Sequence, residues 1–181
     1  MLVYPLNSPG SVSLTILDKM RLLPGQYLND SIIEFYLKYL YNTLDGEKEG
    51  YHFFNTFFYS SLSKVNIRKW TKNVDIFTFK YIVVPINEGF HWKLVIIHTN
   101  VNKLKKWRMM ILDSLGMERD YSPVFEKLRK YLNDEWKAKN KSPQFTFTTS
   151  NCPGYALQVP IQNNGIDCGV YVLQNVKQFI L

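Results

Sequence analysis

The chain of 181 residues holds two cysteines and three histidines, so few side chains could run nucleophilic chemistry near neutral pH. Cys168 stands in NNGIDCGVYVLQNVKQFIL (163–181), at the entrance of an apolar run rather than inside it. Asn164-Gly165 is a strong turn signal, because both residues tolerate positive φ. Asp167 can then cap a helix that begins at Cys168, and Gly169 lets another backbone segment approach closely. A thiol at a helix N-terminus faces the positive end of the dipole and the unpaired N–H groups of the first turn. Thiolate character rises there, more so beside an imidazolium. The same N–H groups can hold a developing oxyanion. Cys152, in the loop SNCPGY, has no helix start behind it and reads as a bystander.

A general base follows by elimination. His52 lies in an aromatic-rich stretch and reads as a packed or partly exposed ring, and His98 sits where a strand runs into a turn and reads as solvated. His91 follows the loop NEGF and opens a strand, and strand ends are where site residues collect. If 91–97 and 107–113 pair as an antiparallel hairpin, the first residue of one lies beside the last of the other. That puts Asp113 next to His91, where a carboxylate can orient the ring and stabilise its charged form. A strand-end Asp that caps the turn SLG is an equally open reading of the same residue. Gln162, six residues before Cys168, can send its side-chain amide toward the same site as an oxyanion donor. The cysteines and histidines show no metal-ligand spacing, and no metal or other cofactor is expected.

These groups need a scaffold, and hydrophobic periodicity supplies one. LNDSIIEFYLKYLYNTL (28–44) reads as a helix, with Ile33, Leu37, Leu40 and Leu44 at helical spacing. Ser31 and Glu34 match a capping box, with Asn29 and Asp30 as competing caps. DGEKEG (45–50) ends it. YHFFNTFFYSSLSK (51–64) is read as a buried helix or an irregular core segment, leaning to helix. YIVVPI (81–86) is a buried strand stopped near Pro85, and HWKLVII (91–97) and WRMMILD (107–113) are strands joined by a polar turn. SPVFEKLRKYLNDEWKAKN (122–140) is a helix opening on Ser-Pro, with Val124, Leu128, Tyr131, Leu132 and Trp136 on one face. QFTFTT (144–149) alternates as a strand, YALQVPIQ (155–162) is extended, and 168–181 is helical. SVSLTI (11–16) is an edge strand or a helix lead-in, and NSPGS (7–11) and LPGQ (23–26) are turns. The order of elements predicts an α+β fold.

Composition sets the bounds. Apolar residues make up 46% and aromatics 15%, enough for one packed domain over 1–181. No run approaches the roughly 18 apolar residues of a membrane span, and the N-terminus lacks the basic-then-apolar pattern of a signal peptide. Two cysteines argue against a disulfide scaffold and for a reducing, intracellular compartment. The net charge of +7 could serve nucleic acid, an acidic membrane surface or an acidic protein partner, but Lys and Arg are scattered (Lys64, Arg68, Lys69 and Lys72, then Lys103 to Arg108, then Lys127 to Lys141), so charge alone favours a solvated surface with a mild positive bias. No nucleic-acid or membrane partner is expected.

Taken together, these residues resemble the Ulp/SENP family of SUMO-specific cysteine proteases. The likeness runs through GQYLNDSIIEFYLKYL, FFNTFFYSSL, RKWTKNVDIF, YIVVPINEGFHWKLVII, ILDSLG and IQNNGIDCG, in family order. A lone DCG is weak; a His-Trp, an Asp-Ser and a Gln-x5-Cys-Gly in this order are specific. The resemblance implies a papain-like fold of the Ulp/adenain type, with a central mixed sheet flanked by helices. It implies a triad of His91, Asp113 and Cys168, with Gln162 in the oxyanion hole. It also implies a tunnel, roofed by two aromatics, that admits only a Gly-Gly tail. Trp92 matches one aromatic. Tyr27 stands where the family usually has Trp, which keeps an aromatic face with less area. Asp30 matches a contact to the SUMO surface, and Trp70 is shared as core or contact.

The implied activity is hydrolysis after the C-terminal Gly-Gly of SUMO, freeing SUMO from target lysines or from SUMO chains. INEGFHW and LNDSIIEFYLKYL look most like the branch that trims poly-SUMO chains, whose human members carry long insertions for which this chain has little room. The expected partners are SUMO and SUMO-conjugated proteins, the expected state is a monomer, and the expected address is the nucleus. Family domains usually continue past the position of Leu181, so a domain cut short at its C-terminus is also expected. Three rivals remain at this point: the same chemistry on NEDD8 or ubiquitin, acyl transfer as in bacterial effector acetyltransferases of this fold, and a SUMO binder that does not turn over.

Overall fold

The N-terminal stretch alternates polar and apolar residues only briefly, and it forms a small antiparallel hairpin of β1 (Leu2–Tyr4) and β2 (Val12–Leu14). The computed structural model describes residues 1–8, 10–44, 48–63, 70–99 and 107–181. Thr15 and Asp18 form a reciprocal capping box, which starts the short helix α1 (Ile16–Met20). SVSLTI therefore serves as both edge strand and helix lead-in. Helix α2 (Asp30–Thr43) is capped by Asn29, whose Oδ1 accepts from the Ile32 N–H at 3.1 Å. The capping box expected of Ser31 and Glu34 does not form, because the helix begins two residues earlier. The Glu34 carboxylate is used elsewhere and accepts from the Thr56 N–H at 3.1 Å.

Residues 51–64 depart from the expected helix. Tyr51–Phe53 is a strand, β3, and only Phe58–Ser61 turns into a helix, α3. Three residues pair in parallel with β4 (Tyr81–Glu88), so sheet hydrogen bonds outweigh a helical preference in so short a run. β4 continues past Pro85, which was expected to stop it. β3 pairs only as far as Val83, so at position 85 the outer edge of β4 has no strand partner that would need an N–H. β5 (His91–His98) and β6 (Arg108–Leu112) complete the antiparallel centre, and β7 (Gly154–Ala156) adds a parallel edge. The order β3-β4-β5-β6-β7 is a mixed sheet. Parts of DGEKEG (45–47) and of the polar turn (100–106), and the basic residues Lys64, Arg68 and Lys69, lie outside the described residues.

Period-2 alternation splits the sheet into two faces. Ile82, Val84, Ile86, Val95, Ile97, Met109 and Ile111 pack against α4 (Ser122–Ala138) through Val124, Leu128, Tyr131, Leu132 and Trp136. Val83, Leu94, Ile96 and Leu112 face the other way, onto α2 and onto α5 (Cys168–Ile180). This α+β sandwich of a mixed sheet between helices is the expected fold class. One expected strand is absent. QFTFTT stays outside the sheet, because Asn133 of α4 supplies its backbone partners: Oδ1 accepts from the Phe147 N–H at 2.7 Å, and Nδ2 donates to the Phe147 carbonyl at 3.1 Å. Phe147 then packs edge to face on both Phe145 and Trp136, and Phe145 lies tilted against Trp136.

Candidate active site

Three elements end at one place. β5 begins with His91, β6 ends one residue before Asp113, and α5 begins with Cys168. The ladder pairs Leu94 with Leu112, so continuing it would set Asp113 opposite Lys93 rather than His91. His91 and Asp113 are neighbours as antiparallel pairing predicts, with the register two residues off. The side chains meet on the diagonal, His91 Nε2 to Asp113 Oδ1 at 2.7 Å. This leaves Nδ1 as the ring nitrogen available to the thiol.

The Asp113 carboxylate is held on both oxygens. Oδ1 also accepts from the Leu115 N–H at 2.9 Å, and Oδ2 accepts from the Tyr121 hydroxyl at 2.9 Å. Burial pushes this carboxyl up, yet the hydrogen bonds from His91, Leu115 and Tyr121 outweigh it and hold it below the usual value. Asp113 thus both faces His91 and caps the turn after β6, so the two readings left open by the sequence are joined. Burial pulls the His91 ring down, but hydrogen bonds to Asp113 and Cys168 and the charges of both push it up to about 9. His52, by contrast, is drawn down to about 4 by burial alone. His98 packs on the Tyr81 ring at 5.1 Å.

Cys168 is 1% exposed. Burial pushes its thiol up, and hydrogen bonds from His91, the Trp92 N–H and the Gly169 N–H outweigh it, holding the thiol below its ordinary range. The Trp92 N–H lies 3.4 Å from Sγ. Both shifts act in favour of the charged forms, thiolate and imidazolium. Burial drives the Cys152 thiol up to about 12, against a smaller downward pull from the charge of Arg129.

The turn before Cys168 differs from expectation in its chemistry. Neither Asn164 nor Gly165 has positive φ. The Asn164 side chain builds the turn instead, Oδ1 accepting from the N–H groups of Ile166 and Asp167, both at 3.0 Å. Asp167 occupies the cap position of α5 without a capping side-chain bond, because its carboxylate accepts from Asn164 Nδ2 at 2.6 Å. Gly169 does permit a close approach: a Cβ there would lie 2.9 Å from Leu28 Cβ.

Gln162 is buried beside the Asp113-Ser114 pair. Its N–H donates to the Ser114 carbonyl at 3.0 Å, its Oε1 accepts from the Ser114 hydroxyl at 2.6 Å, and Nε2 donates to the Asn164 carbonyl at 2.6 Å. The amide is oriented with one Nε2 proton engaged and one to spare. Trp92 is 2% exposed, and its ring N–H donates to the Leu28 carbonyl at 2.9 Å. That bond draws the segment holding Tyr27 against the strand of His91. Tyr27 itself is 44% exposed. Asp30 is the first residue of α2, half-buried, with the capping position filled by Asn29. Trp70 packs edge-on to Phe58 at 6.2 Å.

Tyr121, Leu28, the bond from the Ser114 hydroxyl to Gln162 and the turn-building side chain of Asn164 were not among the expected site features. Only Asn164 and Ser114 carried a local signal, in Asn-Gly and Asp-Ser. Among the described residues, no group of three or more His, Cys, Asp or Glu could hold a metal ion, and no helix is long and apolar enough to cross a membrane. A groove of about 960 Å³ runs between α1, α2 and α5, and none of His91, Asp113 or Cys168 lines it.

Comparison with known proteins follows the same lines. Residues 26–181 match the family described as the Ulp1 protease family, C-terminal catalytic domain. Ubiquitin-like-specific protease 2 of Schizosaccharomyces pombe is 34% identical over 99% of this chain and 35% of its own length. A crystal structure described as the de-sumoylating protease superposes with a TM-score of 0.80 at 29% identity, covering 99% of this chain and 72% of that one. The C-terminal Ulp1 protease domain, solved in complex with Smt3, the yeast ortholog of SUMO, gives 0.74 at 29% identity over 99% and 77%. The chain spans about a quarter to a third of the length of the relatives it matches.

Proposed function

We propose that this chain, which belongs to the Ulp1 protease family, is a SUMO-specific cysteine protease that cleaves after a C-terminal Gly-Gly. The observation that carries the reading is Cys168, buried at the start of α5 with the Trp92 N–H 3.4 Å from its sulfur, at the point where His91 Nε2 meets Asp113 Oδ1 at 2.7 Å. This arrangement favours a charged nucleophile and a charged acid, both in place before substrate arrives.

Chemistry then proceeds with balanced steps. The Cys168 thiolate adds to the glycine carbonyl, whose electrons move to oxygen. The spare Nε2 proton of Gln162 and a first-turn N–H of α5 face the oxyanion. His91 passes its proton to the leaving lysine amine as the C–N bond breaks, and a thioester remains. His91, now neutral, takes a proton from water, hydroxide adds to the thioester, and the thiolate leaves. Asp113 holds the ring throughout without being protonated. Trp92 and Tyr27, joined through Leu28, form the walls through which only a glycine pair passes, and Asp30, free of capping duty, faces the modifier.

The finer reading is that the enzyme trims SUMO chains. The likeness of INEGFHW and LNDSIIEFYLKYL to that branch supports it. In the same reading the enzyme acts as a monomer in the nucleus, without nucleic acid or membrane, and imaging of a tagged chain and its mass in solution check those points.

The test is an electrophilic SUMO C-terminal probe. Wild-type protein is expected to form a covalent adduct and Cys168→Ser none. Parallel probes of NEDD8 and ubiquitin are expected to stay unreacted, and reaction with either of them but not with SUMO would sink the reading.

A further inference from the structure

The amide of Gln162 ends a side chain whose last torsion, between an sp³ and an sp² carbon, is broad rather than confined to staggered wells. Covalent geometry therefore does not aim it. A donor to a developing oxyanion works only when it already points at the charge, so the bonds that hold the amide decide what it can do.

Three hydrogen bonds hold Gln162. Its backbone N–H donates to the Ser114 carbonyl at 3.0 Å, Nε2 donates to the Asn164 carbonyl at 2.6 Å, and Oε1 accepts from the Ser114 hydroxyl at 2.6 Å. The Asn164 carbonyl can only accept, so the amide nitrogen belongs on that side and the oxygen on the side of Ser114. The Ser114 hydroxyl is then a donor, and its single proton is spent on Oε1. Both residues are buried, Ser114 at 2% and Gln162 at 7% exposed. Without the hydroxyl, Oε1 would lie buried with no donor, and an amide on a soft torsion relieves that cost by turning.

The two anchors of the amide come from the two arms of the site. Ser114 directly follows Asp113, whose Oδ1 meets His91 Nε2. Asn164 builds the turn that leads into Cys168. Gln162 thus spans the strand end that holds the histidine and the turn that delivers the cysteine.

We infer that Ser114 is a positioning residue, whose hydroxyl locks the Gln162 amide in the rotation that leaves its second Nε2 proton free for the oxyanion. This rests on the protease reading above. It gives Ser114 a duty separate from that of Asp113 beside it: one residue of the pair sets the ring, and the other sets the oxyanion donor.

The experiment is a double-mutant cycle on SUMO carrying a coumarin amide at its C-terminus. Gln162→Ala is expected to lower kcat about 10²-fold, as the loss of one oxyanion donor does. Ser114→Ala is expected to lower kcat about tenfold and to leave KM within about twofold, because the bond it governs forms only in the transition state. In the Gln162→Ala background the same change should move kcat by less than about twofold, since nothing is left to aim. Alkylation of Cys168 by iodoacetamide forms no oxyanion, so Ser114→Ala should keep its wild-type rate and pH profile. Ser114→Cys, of nearly the same shape but a weaker donor, carries the cycle if the alanine variant does not fold. Losses that multiply in the double variant would make Ser114 a support of the fold and overturn the inference. Alkylation that slows in step with turnover would mean that it acts through Asp113 and His91, and would overturn it too. So would a wild-type kcat in Gln162→Ala, which leaves the protease reading standing. A wild-type chain that does not cleave the substrate overturns the protease reading itself.

Discussion

Cys152 and Cys168 are equally hidden, 0% and 1% exposed, yet their thiols shift in opposite directions. Cys152 sits in the core on the α4 face among aliphatic and aromatic side chains, where its backbone, not its sulfur, makes the polar bonds. Cys168 sits in the core on the α2 and α5 face, at a helix start, with His91 and two N–H groups turned toward the sulfur. Burial acts on both in the same sense. Partners decide the outcome, and a reactive thiol need not be an open one.

The largest expected effect breaks the pair outright. Cys168→Ser should lower turnover of a SUMO substrate by about 10³-fold or more. Cys152→Ala should leave turnover within about twofold and cost roughly 1 kcal/mol of stability, a small cavity read by a melting curve. Next, His91→Ala should make Cys168 resemble Cys152. With its main partner gone, burial prevails, the thiol rises, and the thiolate absorbance near neutral pH disappears while kcat/KM falls roughly 10²–10⁴-fold. If the absorbance persisted, the N–H groups alone would be holding the thiolate.

The pH profile sharpens the comparison further. His91 keeps its proton up to about 9, so the charged pair should dissolve on the alkaline side near that value. On the acid side activity should fall only as Cys168 is protonated, below the ordinary thiol range. A single rising limb with no alkaline fall would mean that His91 is not the leaving-group acid. The smallest effect concerns the outermost support. Tyr121→Phe removes the donor to Asp113 Oδ2 and should lower kcat/KM about three- to tenfold, with the Tm falling by a few degrees. Unchanged kinetics would show that the Leu115 N–H suffices to fix the carboxylate.

What the sequence made legible follows from distance along the chain. Helices α2, α4 and α5 and the strands around 81–113 repeat their apolar residues at short intervals, so local pattern carried them. The meeting of His91, Asp113 and Cys168 was legible because they sit at element ends beside turn signals, and because Ser114 and Gly169 flank them in recognisable pairs. Asn133 replacing a strand, Glu34 holding the Thr56 N–H and Tyr121 reaching Asp113 were not legible. Each is a side chain serving a backbone or carboxylate group brought near only by folding, and such bonds have no period. The two-residue error in the hairpin register has the same origin, since the ladder is set by which aliphatic residues pair across it and not by where the polar ends fall.

Gly169 closes a chain of contact that runs from Cys168 to Trp92 and Tyr27. It touches Leu28, Leu28 holds the Trp92 ring, and Tyr27 is the next residue back. In an exposed helix, exchanging glycine for alanine is a routine stabilising edit worth about 1 kcal/mol. Here the added methyl would land 2.9 Å from Leu28 Cβ and wedge the two walls apart. An engineer hardening this chain for heat or storage would thus find the general recipe reversed at the one helical glycine beside the cysteine, and should seek gains at surface positions far from it.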